Sequence, residues 1–279
     1  QGILETLRVM SMHPEKTHHE VAPNQHEITL RYCPALKMAD NLITVKNVIH
    51  FFAQQFGYRA FFMPKPFRHE NGSGMHINYS LYNTQTRENA FYEPSGRYLL
   101  SDTARSFIAG NLAIMRESAA LFNSTINSYK RLVRGFEAPV FVSWGNKNRT
   151  AQIRIPEVSP QQGKAVRAEL RSPDGMGNPY LMFAALYVSG MEGVRQRFTL
   201  PTEADENLYL LSAQERSDRG IEQLPTSLEE ALSAMKSSIF LKETLGTHIF
   251  ENYLAGKRDE VSEYLQAITD WELEKYGNA

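Results

Sequence analysis

Lys164-Ala-Val-Arg167-Ala-Glu169-Leu-Arg171 is the stretch from which the rest of the chain can be read. Arg167, Glu169 and Arg171 alternate with smaller or apolar residues, and a β-strand sends alternate side chains to opposite faces. The segment therefore reads as a strand with one charged face and one apolar face. Arg154, between Ile153 and Ile155, repeats the pattern in Ala151 to Ile155, and Pro139 to Trp144 is strand-like as well. Arginines on neighbouring strands form a cationic floor suited to phosphate and carboxylate groups. The plainer alternative is a set of Arg–Glu ion pairs on a wet sheet face.

Working outward, residues 1–10 read as the end of a helix, and Met12 to Leu30 as strand, turn, strand. Pro34 to Phe56 has helical spacing at Leu42, Val45, Ile49 and Phe52, with Gly57 placed to stop it. Tyr58 to Met63 reads as a buried strand, Lys65 to Gly74 as a polar loop, and Met75 to Tyr82 as a further strand. Ser101 can cap a long helix to about Phe122. Asn178-Pro179 opens an apolar helix, Tyr180 to Val194. Residues 227–276 read as amphipathic helices beginning with the capping pattern Ser227-Leu-Glu-Glu230. Strands followed by helices indicate an α+β fold rather than regular βαβ alternation.

Composition bounds the function. The 279 residues carry 30 Lys+Arg against 31 Asp+Glu, a net charge of −1, so no overall basic field favours nucleic acid or an anionic membrane. No run approaches the roughly 20 apolar residues of a spanning helix. The lone Cys33 cannot form an intrachain disulfide, which favours a reducing, cytoplasmic setting.

Two further stretches carry chemistry. In His19-Glu20-Val-Ala-Pro23-Asn24-Gln-His26-Glu27, a hairpin centred on Pro23-Asn24 places Glu20 directly opposite Glu27 on one face. Two carboxylates so placed repel unless a proton or cation bridges them, and hard oxygen ligands favour Mg²⁺ or Mn²⁺. Two solvated glutamates are the simpler alternative. In Asn71-Gly72-Ser73-Gly74-Met-His76-Ile-Asn78-Tyr-Ser80, the glycines allow close backbone approach to a ligand. His76, Asn78 and Ser80 share a strand face. The stretch is neither a Walker loop nor a dinucleotide fingerprint.

These motifs resemble the glutamine synthetase family, and most of all its prokaryotic type. Lys65-Pro-Phe, Asn71-Gly-Ser-Gly-Met-His76 and Ser80 fit the family's ATP-region signature. Asn127-Ser-Tyr-Lys-Arg131-Leu-Val, Glu137-Ala-Pro, Asn148-Arg149-Thr, Arg154-Ile-Pro, Glu169-Leu-Arg171, Asn178-Pro-Tyr and Thr269-Asp-Trp-Glu-Leu follow in family order. The resemblance implies a curved, mostly antiparallel sheet packed with helices, as in the glutamine synthetase and guanido kinase-like catalytic domain. Residues 1–279 would form that catalytic domain, with 1–200 the sheet and active-site core and 201–279 a mainly helical region. It also implies that the domain's first strand and an N-terminal β-grasp domain are lacking, so the chain alone is expected to turn over little.

The implied activity is ATP-dependent ligation of ammonia to the γ-carboxyl of L-glutamate through γ-glutamyl phosphate, giving glutamine, ADP and phosphate. Glu20 and Glu27 match ligands of one Mg²⁺ or Mn²⁺ site, and His76 and Glu169 those of a second. Asn71, Gly72, Arg131 and Arg171 match glutamate-binding residues. Asn78, Ser80, Arg149, Arg154 and Arg167 match positions around ATP and the transferred phosphate. Glu137 and Arg149 match catalytic residues, Glu137 taking a proton from ammonium. A large homo-oligomeric ring, a dodecamer in the full-length form, is implied too. Arg134 replaces the family's usual Pro and adds a cation near the substrate loop. It raises the alternative of a γ-glutamyl-amine or polyamine ligase; a non-catalytic subunit is the other alternative. Tyr209 lies where some bacterial members are adenylylated, but Glu206 replaces the usual Lys nearby, so a packed or surface tyrosine is expected.

Overall fold

In a computed structural model of the chain, residues 1–136, 138–146, 148, 150–204, 206 and 208–277 are described. Helix α1 (Gly2–Val9) leads into a hairpin of β1 (Pro14–His19) and β2 (His26–Leu30), then helix α2 (Ala35–Gln55). Strand β3 (Ile77–Tyr79) precedes helices α3 (Asp102–Ala113), α4 (Met115–Phe122) and α5 (Ile126–Arg131). Strands β4 (Phe141–Gly145), β5 (Ala151–Arg154) and β6 (Ala168–Leu170) follow, and then α6 (Pro179–Gln196). The chain closes with α7 (Ala213–Asp218), α8 (Leu228–Lys236), α9 (Ile239–Gln266), which is broken at Gly246, and α10 (Asp270–Tyr276).

The second sheet has the order β3-β6-β5-β4. Its pairs are antiparallel except β4 with β5, which run parallel. The alternation seen in sequence becomes two faces. Ile77, Ala168, Leu170, Ile153 and Ile155 face a core shared with α3, α4, α6, α8 and α9. Each fully buried Leu, Ile or Phe there contributes roughly 1.5–3 kcal/mol relative to exposure. Helices α3 and α6 cross where Gly110 and Gly193 meet backbone to backbone, a contact that a Cβ on either would block. Asn111 closes the crossing by donating to Leu186 O (2.7 Å) and Ser189 Oγ (2.8 Å).

The open edge of β4 is covered by later chain. Ala204 N–H donates to Trp144 O (2.9 Å), Val142 N–H to Glu222 O (2.8 Å) and Leu224 N–H to Val140 O (2.9 Å). An edge covered in this way cannot pair with another chain.

Several expectations are corrected. Tyr58 to Met63 forms no strand, and Tyr58 and Phe61 are 75% and 55% exposed; a short apolar run acquires strand structure only if a neighbour supplies a ladder. The helix from Ser101 breaks at Ile114 (φ −112°, ψ 15°), although Ser101 caps it as expected by accepting from Ala104 N–H. Of Lys164 to Arg171, only β6 is strand; Pro160–Ala165 forms a short 3₁₀ helix. The Ser227–Glu230 box is half formed, because the Glu230 carboxylate turns to Thr226 instead.

Candidate functional site

The polar face of the sheet is built by register. Asn78 on β3 pairs with Glu169 on β6, and Glu169 pairs with Arg154 on β5, so the three form one row across the sheet. Arg167 and Arg171 flank Glu169 on the same face. Glu169 is the centre of charge, with its side chain 6% exposed. Its Oε2 lies 2.6 Å from Arg154 Nε and 3.2 Å from Arg171 Nη1, while its Oε1 lies 3.2 Å from His76 Nδ1. Burial pulls the Glu169 pKa upward, but His76, Arg171 and Arg154 outweigh it and bring it down to about 2. Burial pushes the His76 imidazolium below its usual range, the Glu169 hydrogen bond opposing, so His76 is neutral at pH 7. At neutral pH the arginines therefore balance Glu169. Arg154 and Arg171 both face the one carboxylate of Glu169. Arg167 is oriented by bonds from its Nε to Asn78 Oδ1 (2.9 Å) and from its Nη1 to Ala165 O (3.0 Å). Ser80 is exposed, just beyond β3.

The glycine loop lies over a second guanidinium. Arg131, at the end of α5, is 4% exposed. It donates to Ser172 O (2.6 Å) and Arg171 O (3.0 Å), so it grips the backbone that follows β6. Burial lowers its pKa to about 10, with nearby Asp174 opposing, and it stays charged at neutral pH. A Cβ at Gly72 would meet Pro64 O and the Arg131 side chain, and one at Gly74 would meet the Arg131 guanidinium. Both glycines are thus required by close approach. Asn71, with a partly buried side chain, leads into this loop. Lys65 anchors its start: Asn127 Oδ1 accepts from Lys65 N–H (2.7 Å) and Asn127 Nδ2 donates to Lys65 O (3.0 Å). The Lys65 ammonium lies 3.5 Å from the centre of the Phe136 ring.

The hairpin differs from its expected register. Ala22 to Gln25 forms a turn with Pro23 and Asn24 at its centre, Asn24 at φ +57° and Gln25 N–H donating to Ala22 O. This suits a type II turn. The ladder beyond it, however, pairs His18 with Glu27 and His19 with His26. Glu20 N–H reaches Gln25 O, and the Gln25 side chain accepts from Ala22 N–H. That side-chain bond takes the donor a symmetric ladder would have used, so Glu20 and Glu27 are not directly opposed. Because the slip moves each partner by two residues, the face is preserved. Glu20 and Glu27 still share a side, joined by His18, whose Nε2 is 2.7 Å from Glu20 Oε1. Ligand atoms of His18, Glu20 and Glu27 all lie within 4.8 Å of one another. An imidazole and two carboxylates fit a divalent cation such as Mn²⁺, Mg²⁺ or Zn²⁺. Sequence reasoning missed His18, although its i, i+2 spacing from Glu20 was available.

Gln25 joins the two regions. Its Nε2 donates to Gly72 O (3.1 Å) and Ser73 Oγ (3.0 Å), tying the hairpin turn to the glycine loop. Glu137 and Arg149, the two catalytic expectations, lie outside the described residues. Arg134 is exposed and lies over two aromatic rings. Its guanidinium stacks 5.5 Å from the Phe141 ring and 6.0 Å from that of Tyr209. Tyr209 donates to Ala138 O (2.6 Å) and packs against the cluster around Phe141. Among the described residues, no helix is long and apolar enough to cross a membrane.

The chain is similar to known proteins in both sequence and fold. Residues 1–276 match the family model for the glutamine synthetase catalytic domain. The glutamine synthetase of Methanocaldococcus jannaschii is 44% identical over 277 residues, covering 99% of this chain and 60% of that protein. That of Thermotoga maritima is 45% identical over 276 residues, covering 99% and 62%. The chain thus spans about three-fifths of the length of these relatives. A solved structure described as a GmaS/ADP complex matches with a TM-score of 0.87 at 32% identity, over 99% of this chain and 63% of that one. Plasmodium falciparum glutamine synthetase matches with a TM-score of 0.88 at 28% identity, over 99% and 60%. Matched by the family model over residues 1–276 and carrying a charged sheet face that its motifs anticipate, the chain belongs to the glutamine synthetase family, as part of its catalytic domain.

Proposed function

We propose that the protein containing this chain ligates ammonia to the γ-carboxyl of L-glutamate at the expense of ATP, through γ-glutamyl phosphate, releasing ADP and phosphate. The observation that carries this reading is the row Asn78–Glu169–Arg154, flanked by Arg167 and Arg171. It is a polar face on which arginines meet a buried carboxylate, set beside a glycine loop held close by Arg131.

A carboxylate is a poor electrophile until phosphorylated, so the site must bring two anions together, the γ-carboxylate and the terminal phosphate of ATP. Arginines aimed at developing negative charge supply much of the stabilisation that phosphoryl transfer requires. In this reading Arg154, Arg167 and Arg149 serve the phosphates, with Asn78 and Ser80 at the nucleotide. Arg171 and Arg131, with the Asn71-Gly72 backbone, serve glutamate. Glu137 receives the proton that ammonium must lose before its nitrogen attacks the acyl phosphate.

His18, Glu20 and Glu27 would hold one Mg²⁺ or Mn²⁺, and His76 with Glu169 would contribute to a second. Glu169 Oε1 faces His76 while Oε2 is occupied by the arginines, which leaves a carboxylate oxygen and an imidazole side by side. Bound divalent ions supply neutralisation of phosphate charge. The same reading places the protein in the cytoplasm, in a homo-oligomeric ring. Arg134, exposed and lying over Phe141 and Tyr209, is the residue on which the amine-ligase alternative rests, and a panel of organic amines in place of ammonium separates the two readings.

The test uses the full-length protein with glutamate, ATP and Mg²⁺, measuring phosphate release. Release that depends on ammonium and is lost in Glu137→Ala is expected. Release indifferent to both sinks the reading.

A further inference from the structure

At the end of β4 and just beyond it, Trp144 and Asn148 are bound to the segment that follows α6. The Trp144 indole donates to Pro201 O (2.8 Å), and the Asn148 side-chain amide donates to Ala204 O (3.0 Å) and Glu206 O (2.9 Å). Glu203 lies within this lacing, with its side chain 3% exposed. Its Oε1 accepts from Asn146 N–H (2.9 Å). Its Oε2 accepts from the Tyr98 hydroxyl (2.8 Å) and Arg97 Nη2 (2.5 Å). The turn it holds is strained: Tyr98 and Leu99 are successive non-glycine residues with φ of +57° and +59°. Left-handed residues of this kind persist only where surrounding contacts over-determine them, and they cluster at functional sites.

We propose that Glu203 is a positioning residue for the chain as it leaves β4 at Asn146, three residues before Arg149 in sequence, and that it acts by locking Asn146 N–H to the strained Arg97–Leu99 turn. The proposal rests on the reading in which Arg149 stabilises the transferred phosphoryl group. The sheet itself does not depend on Glu203. Asn146 has its own bond to Ile155, Nδ2 donating to the carbonyl at 2.9 Å, and β4 pairs with β5 through backbone. Glu203 therefore adds the direction in which the chain leaves β4. The chemistry at both ends demands a carboxylate. Asn146 N–H and the Arg97 guanidinium can only donate, so a glutamine, with one acceptor oxygen, would set its NH₂ against one of them even if the Tyr98 hydroxyl turned to accept, and that bond of the lock must open.

The test compares Glu203→Gln and Tyr98→Phe with the parent in the full-length enzyme. Kinetics are measured with glutamate, ammonium and ATP, together with hydrogen exchange and assembly size. For Glu203→Gln, kcat is expected to fall about tenfold, since small misplacements of a catalytic group cost up to about a hundredfold. KM for glutamate should stay within about twofold, with assembly intact, and amide exchange should rise in residues 146–150 and 97–99 but not across the sheet. Tyr98→Phe, which removes one donor of three, should give a smaller change of the same kind. The proposal is overturned by kcat within twofold of the parent, by a fall in kcat without faster exchange in 146–150, or by a general rise in exchange that marks a purely structural role. Should the parent itself release no phosphate in response to ammonium, the ligase reading fails. Faster exchange confined to the two segments then still supports the lock, and unchanged exchange refutes it.

Discussion

On the β1–β2 hairpin, Glu20 and Glu27 meet one imidazole and open solvent; on β6, Glu169 meets two guanidiniums and an imidazole below the surface. The hairpin cluster has donor atoms gathered and little positive charge of its own, so the charge it lacks must come from outside. The β6 cluster carries its counter-charge within the fold. Desolvating Glu169 is tolerable because His76, Arg171 and Arg154 face it, and the same contacts hold both arginines in place for an anion. The first region is organised to receive a cation, the second to present cations.

If this contrast is right, the largest loss of stability comes from Glu169→Gln. Removing one partner of a buried charge group leaves the others uncompensated, at a cost of roughly 3–5 kcal/mol. Chemical denaturation should register it, and a loss below about 1 kcal/mol would mean the arginines relax freely into solvent. Next in size is an acid limb. Glu169 is held at about 2, below its ordinary 4.5. Between those values the unfolded chain binds the proton more readily than the folded one. Its stabilisation, roughly 3 kcal/mol, is thus complete above pH 4.5 and lost as pH falls toward 2. Denaturation of parent and Glu169→Gln in metal-free buffer should converge over that window. Parallel curves would break the comparison.

The loop between the regions gives a smaller effect. Gly72→Ala forces a Cβ against Pro64 O and Arg131, an overpacking cost of about 1–3 kcal/mol. Melting temperature reports it, and an unchanged value would show that the loop can lift from Arg131. Smallest in stability is His18→Ala. A partly exposed pair with Glu20 is worth no more than about 1 kcal/mol, yet Mn²⁺ affinity should fall by at least about tenfold on loss of one ligand. Titration calorimetry separates these readouts. Strong destabilisation with unchanged Mn²⁺ binding would make the hairpin a structural cluster like that of β6.

Much of the β6 region was legible because strand periodicity is local. Arg167, Glu169 and Arg171 had to share a face once the segment was extended, and Arg154 between two isoleucines had to present its charge away from the core. Asn178, Ser101 and Gly57 marked helix ends for equally local reasons. The hairpin was legible only in part. Pro23-Asn24 located the turn, but the register depended on where the Gln25 side chain bonded. Tyr58 to Met63 was misread because a strand requires a neighbour that the segment does not contain. The ring partners of Arg134, Phe141 and Tyr209, were not legible because they converge only after the chain has folded back.

By itself the sequence determined the family, the α+β class, the two faces of the sheet and the residue types that gather at the site, all of which follow from short-range periodicity and ordered motifs. Tertiary structure alone decided that His18 joins Glu20 and Glu27, that Arg131 grips backbone beneath the glycine loop, and that Glu203 reaches both Asn146 and Tyr98. These are long-range hydrogen bonds and close approaches. They depend on which distant segments meet when polar groups are buried and must find partners, and no local pattern encodes that outcome.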